Sequence, residues 1–137
     1  MDNVIVNKTE SIERFVRQIR AYFGEDPISF REDPMRQDAI ILNIERACEQ
    51  SISLANHIVR IRKLAFPKTS KESFQLLAEA NLIGPDLSSR LQSMVGFRNI
   101  AVQNYQKINL EIVEKIINEH LEGFTDFSKI AIKLIPE

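Results

Sequence analysis

Asp33-Pro34-Met35-Arg36-Gln37-Asp38-Ala39-Ile40-Ile41-Leu42-Asn43-Ile44-Glu45-Arg46-Ala47-Cys48 opens a stretch that reaches Lys63 without a glycine or a further proline. Asp33 is a natural N-cap, and Pro34 suits a first helical turn, where a missing N–H loses no hydrogen bond. Beyond them Ile41, Ile44, Cys48, Ala55 and Ile58 fall on one helical stripe, with Ile40, Ala47 and Leu54 on its neighbour. Apolar coverage that wide predicts a central helix touched by several partners rather than one with a single buried face. The fold class follows, because the rest of the chain has to supply those partners.

Toward the N-terminus, Ile5, Ile12, Phe15, Val16, Ile19 and Phe23 predict a helix from about residue 4 to Phe23. Gly24 stops it, Pro27 follows, and residues 24–33 read as a loop. On the other side Pro67 closes the central segment. Ser70 reads as the cap of a third helix carrying Phe74, Leu76, Leu77 and Ala80, without a capping box because Ser73 stands where Glu or Gln would be needed. Gly84-Pro85 separates it from a fourth helix bearing Leu87, Leu91, Met94, Val95, Ile100 and Ala101. Gly96 inside that helix predicts a close helix–helix approach. Asn109 caps the last helix, where Ile112, Val113, Ile116, Ile117, Leu121, Phe124 and Phe127 keep helical spacing. Ile130–Ile135 is the only stretch open to a short strand. The expectation is an all-α antiparallel bundle of about five helices, with residues 1–137 as one domain.

Composition narrows the classes. Hydrophobic residues at 44% and charged residues at 27% match an ordinary globular protein and leave too few apolar runs for a membrane span. The N-terminus lacks a basic start followed by an apolar run, so it is not a signal peptide, and the cytoplasm is the expected location. Cys48 is the lone cysteine and sits in an apolar helical pattern, which reads as a buried small hydrophobe. One cysteine and two separated histidines, His57 and His120, give no metal-ligand spacing, so no metal is expected. His57 reads as a helix residue with a local hydrogen bond, or else as one edge of a binding cleft; His120 reads as surface.

A net charge of −1 gives no global attraction to nucleic acid. The distribution is uneven, however. Arg60, Arg62, Lys63, Lys68 and Lys71 cluster mid-chain, and Glu111, Glu114, Glu119, Glu122 and Asp126 come late. Solvated helix faces explain both groups. The functional reading joins the basic group to Arg98 as one local anion-binding surface, since phosphate attraction follows local potential.

Arg98 begins the segment Arg98-Asn-Ile-Ala-Val-Gln-Asn-Tyr105. On a continuous helix Arg98 and Gln103 lie about 140° apart, so they converge only if the helix ends near residue 103. Asn104 is the expected terminator, because asparagine tolerates the left-handed conformation, and Tyr105 would fold back beside the other two. Glu45 and Glu49, four apart on the central helix, read as helix ion-pair partners or as carboxylates that orient Arg98.

With His at position 103 this segment would carry the Arg, four residues, His, one residue, Tyr pattern of HEPN-type ribonucleases. The chain resembles the HepT branch of that superfamily over about residues 4–127, in Met94-Val-Gly-Phe-Arg-Asn-Ile-Ala-Val before Gln103 and in Ile41-Leu-Asn-Ile-Glu-Arg-Ala-Cys-Glu and Ala55-Asn-His-Ile of the central helix. The resemblance implies a HEPN-like bundle that forms a homodimer. It implies the toxin of a type VII-like toxin–antitoxin system, a metal-independent endoribonuclease acting on tRNA or mRNA. Arg98, position 103 and Tyr105 would be its catalytic residues, with Asn99, Arg60 and Lys63 binding RNA. The partner would be a nucleotidyltransferase (MNT) antitoxin that transfers AMP to Tyr105; ATP and magnesium would belong to that partner, and no cofactor to this chain.

Gln103 breaks the pattern. RNA cleavage without a metal needs the 2′-OH deprotonated, the phosphorane charge stabilised and the leaving oxygen protonated. Arg98 suits the second task, and a carboxamide cannot perform the proton transfers. The chain is therefore expected to be an impaired nuclease; the alternative is a catalytically silent subunit that holds RNA or the antitoxin. Two origins fit Gln103: a natural degenerate member kept for binding, or a substitution that silences a toxin.

Overall fold

Three aspartates start the first three helices of the computed structural model, which describes residues 2–135. Asp2 accepts from the N–H groups of Val4 and Ile5 at the head of α1 (Asn3–Phe23), Asp26 from Ile28 at α2 (Pro27–Arg31), and Asp33 from Arg36 at α3 (Pro34–Ile61). Thr69 caps α4 (Ser70–Glu79) through the Glu72 N–H, and Asn109 caps α6 (Leu110–Glu119) through the Glu111 N–H. Gly84 and Pro85 open α5 (Pro85–Gln103), which has no side-chain cap; α7 (Leu121–Lys133) follows α6 across His120. A 3-10 turn, Tyr105–Lys107, links α5 to α6. Among the described residues there is no strand.

Helix α3 is the axis of the bundle. It packs against α1 along most of its length, and against α4, α5 and α7. Ile40, Ile44, Ala47, Leu54, Ala55 and Ile58 are fully buried there, which accounts for both predicted stripes. Each large apolar side chain so buried contributes about 1.5–3 kcal/mol. Phe74 of α4 meets Phe127 of α7 edge to face at 5.6 Å, joining the middle of the chain to its last helix.

The all-α architecture matches the sequence expectation, with more elements than foreseen. Residues 24–33 contain α2, because Phe30 is fully buried with its ring 5.3 Å from that of Phe23. Asp26-Pro27 also repeats the cap-and-proline signal of Asp33-Pro34. The expected Ser70 cap moves to Thr69, which gives Thr69 and Glu72 the residue types of a capping box, although only the Thr69 bond forms. The last helix breaks at His120 into α6 and α7, and Ile130–Lys133, part of the stretch open to a strand, belongs to α7. Gly96 does not mark a close helix–helix approach: what a Cβ there would meet is the Lys71 Nζ, at 3.7 Å.

Helices α3 and α4 both end in a left-handed residue, Lys63 (φ 55°) and Asn81 (φ 60°). The N–H groups of Leu64 and Leu82 return to the carbonyls of Val59 and Leu77, so each end is a Schellman turn that satisfies late carbonyls. No helix is long and apolar enough to cross a membrane, and no group of metal-ligating side chains occurs among the described residues.

Candidate functional site

The site is a seam between one stripe of α3 and the end of α5. Asp38, Leu42, Glu45 and Glu49 follow one another at three- and four-residue steps, so they share a face of α3. Arg98 lies opposite Glu49, and Tyr105 opposite Asp38, so α5 runs antiparallel to α3 at this seam. All four α3 residues of the stripe are at least partly exposed, unlike the adjoining stripes that face the core.

Arg98 is held loosely. One Nη is 3.7 Å from a Glu49 oxygen, the other donates to the Asn99 side-chain oxygen at 3.2 Å, and the buried Nε–H has no acceptor among the described residues. A guanidinium with five donors is thus under-bonded in the free chain, and an incoming oxyanion would complete it. Tyr105 is 45% exposed and donates its hydroxyl proton to Asp38. Burial, then that hydrogen bond and the charges of Asp38 and Glu45, push its phenol up to about 12. At neutral pH Tyr105 is therefore a protonated phenol, presented to solvent and backed by a carboxylate.

Gln103 does not converge with Arg98 within one chain. It is exposed, and no hydrogen bond joins it to Arg98 or Tyr105 among the described residues. Asn104 ends the helix as expected but with φ −152° and ψ 65°, outside the left-handed region. Glu49 and Asp38, the anchors of Arg98 and Tyr105, are eleven residues apart on α3, a rise of about 16 Å. Arg98 and Tyr105 thus stand at separate points along the seam, and Gln103, still on α5 and about 140° round from Arg98, does not join them.

The basic group divides. Arg60 and Lys68 line a cavity between the end of α3 and the start of α4. Arg62 donates to the Leu134 carbonyl at the end of α7, a structural use. Lys63 is exposed at the left-handed residue after α3, and Lys71 reaches over Gly96. Asn99 is engaged by Arg98. His57 has its Nε2 2.7 Å from Asp2, tying the start of α1 to α3. His120 is half-buried between α6 and α7, its Nδ1 without a partner among the described residues, and so is less exposed than expected. Burial raises the Cys48 thiol to about 12, which makes it inert at neutral pH. Sequence reasoning missed Asp38, although its spacing of four, seven and eleven residues from Leu42, Glu45 and Glu49 places it on their stripe.

Comparison with known proteins gives a consistent set. A family model described as ribonuclease HepT-like matches residues 12–131. The mRNA nuclease HepT of Shewanella oneidensis is 46% identical over 127 residues, covering 93% of this chain and 95% of that protein. A crystal structure of a toxin–antitoxin with AMP-PNP superposes with a TM-score of 0.92 at 43% identity, over 98% of this chain and 100% of the other. The tri-AMPylated Shewanella oneidensis HEPN toxin in complex with MNT antitoxin gives the same TM-score at 44% identity, with the same coverage.

Proposed function

The chain belongs to the HepT-like ribonuclease family, and from that premise we propose that it is the toxin of a HEPN–MNT toxin–antitoxin pair. In this reading it binds single-stranded stretches of mRNA or tRNA at the α3–α5 seam and is neutralised by AMP transfer to Tyr105. The observation that carries the proposal is the pairing along that seam of an under-bonded Arg98 with an exposed Tyr105 hydroxyl.

Each residue has a definite task. Arg98 donates to a phosphate and stabilises the charge that develops on it. Tyr105 contacts the RNA and serves as acceptor for the antitoxin: its phenol oxygen attacks the α-phosphorus of ATP, pyrophosphate leaves, and the proton passes toward Asp38 or solvent. The attached AMP then lays a phosphate near the surface that RNA would use. Position 103 supplies proton transfer in a His-bearing site; Gln103 does not titrate, and cleavage is correspondingly weak. Because the motif residues are spread apart within one chain, a homodimer that apposes two seams is the natural way to gather them. Exposed Leu42, Ile100 and Val102 around the seam support a second copy as its cover.

The test is Gln103→His. Proton transfer by a positioned imidazole contributes roughly 10²–10⁴-fold, so cleavage of single-stranded RNA should rise by at least about 10²-fold. No rise sinks this account of the site. Incubation with the nucleotidyltransferase, ATP and magnesium should add AMP units to the mass, and Tyr105→Phe should abolish the addition.

A catalytically silent subunit is the second reading, and one observation favours it. Neither histidine stands at the seam: His57 is committed to Asp2, and His120 sits at the α6–α7 junction. RNA binding without any gain of cleavage in Gln103→His would select this reading.

A further inference from the structure

A second surface lies outside the seam. Between the end of α3 and the start of α4 is a cavity of about 550 Å³, within the range of ligand pockets, roughly 300–1,000 Å³. Asn56, Arg60, Phe66, Lys68 and Ser70 are among its lining residues, and no acidic side chain is. Phe66 is 90% exposed. It precedes Pro67 in the link from α3 to α4, while Leu64 two residues earlier packs back onto the core. A phenylalanine ring left in water gives up about 1.5–3 kcal/mol of burial, so the fold itself gains nothing from Phe66.

The charges point the same way. Arg60, Lys68 and Lys71 make no ion pair among the described residues. Lys71 extends from the first turn of α4 to Gly96 on α5, and Arg60 lies eleven residues beyond Glu49, about three turns along the same face of α3, so cationic side chains run from the cavity toward the seam. Glycine at position 96 keeps that crossing free of a side chain.

We propose that this cavity is a stacking subsite for a single-stranded RNA, with Phe66 as the platform for one unpaired base and Arg60 and Lys68 as phosphate contacts. Lys71, over Gly96, adds a third cation on the α4 side of the cavity. An aromatic face set among unpaired cations, with no acidic side chain in the lining, is the arrangement that holds a flexible anionic strand. A duplex keeps its bases stacked internally and offers none to Phe66. The inference rests on the reading of the chain as RNA-binding, and it adds a place where substrate is gripped away from the chemistry.

The test is fluorescence anisotropy of a labelled single-stranded oligoribonucleotide with the full chain, across a salt series. Phe66→Ala should weaken binding roughly 5- to 100-fold with the salt slope unchanged, because it removes stacking and no charge. Phe66→Trp should restore the affinity. Lys68→Ala should lower the salt slope by about 0.7, the loss of one phosphate contact to a single strand. Phe66 is exposed, so its variants should keep the parent circular dichroism spectrum. Wild-type affinity in Phe66→Ala, with Arg98→Ala weakened, overturns the subsite and leaves the RNA reading standing. Absence of any RNA binding by the parent overturns both. Equal affinity for duplex and single strand overturns stacking. If Phe66→Ala instead weakens capture of the nucleotidyltransferase and leaves RNA binding intact, the surface is a protein interface and the inference falls.

Discussion

Helix α3 has two sides that obey different rules. On one, Ile40, Ile44, Leu54 and Ile58 are fully buried against neighbouring helices. On the other, Asp38, Leu42, Glu45 and Glu49 remain open and face a loosely held Arg98 and an exposed Tyr105. The first side contributes stability through area removed from water. The second leaves donors unfilled, and a carboxylate beside both Arg98 and Tyr105, where a rigid ion-pair network would have been easy to build. The contrast separates an edge of this helix that serves as scaffold from an edge that the fold leaves open.

The largest effect that separates the two sides is a cavity. Leu54→Ala should destabilise the protein by about 2–5 kcal/mol, as truncation of a buried Leu does. Leu42→Ala, on the open side, should stay within about 0.5 kcal/mol. Chemical denaturation with a common slope measures both. Similar losses at the two positions would mean that Leu42 is covered in solution, as under a second copy of the chain.

The buried side was legible in the sequence because its signal is local. Stripes at helical spacing, Asp33-Pro34 and Gly24 mark α3 and the end of α1 without knowledge of anything distant. The open side was only half legible. Arg98, Gln103 and Tyr105 stand out as a pattern of residue types, but the placement of Tyr105 on the seam depends on Asp38, which is 67 positions from it in the chain. The break at His120 escaped for a different reason. Neither Gly nor Pro precedes it, and the turn comes from α6 and α7 burying separate faces, Val113 and Ile117 on one and Phe124 and Phe127 on the other. Phe66 escaped because an exposed aromatic looks like any other until a cavity is seen beside it.

A smaller effect tests the pairing at the Tyr105 end. Asp38→Asn keeps a hydrogen-bond acceptor and removes a charge. The phenol should then ionise below its value of about 12 but still above the ordinary 10.0, since burial, the largest cause, remains. Phenolate absorbance in a Tyr22→Phe background isolates this one tyrosine. The sign for stability follows. A phenol raised in the folded state favours folding fully below pH 10, and that contribution is lost as pH rises toward 12. The variant should lose less stability over that window. An unmoved titration would show that Asp38 does not govern Tyr105.

The smallest effect belongs to the Arg98 end, and its direction matters more than its size. Glu49 and Arg98 are 3.7 Å apart and both partly exposed, and such pairs contribute about 0–1 kcal/mol. Glu49→Gln should therefore leave the unfolding midpoint nearly unchanged. Its effect on ligand binding has the opposite sign to that of removing a structural partner. A carboxylate beside the guanidinium both competes for its donors and repels phosphate, so the neutral amide should tighten single-stranded RNA binding by about two- to fivefold at low salt. The gain should shrink as salt screens the charge. Were Glu49 instead the group that orients Arg98 for phosphate, the same variant would weaken binding at every salt concentration, and the open edge of α3 would be part of the grip rather than a carboxylate that the substrate displaces.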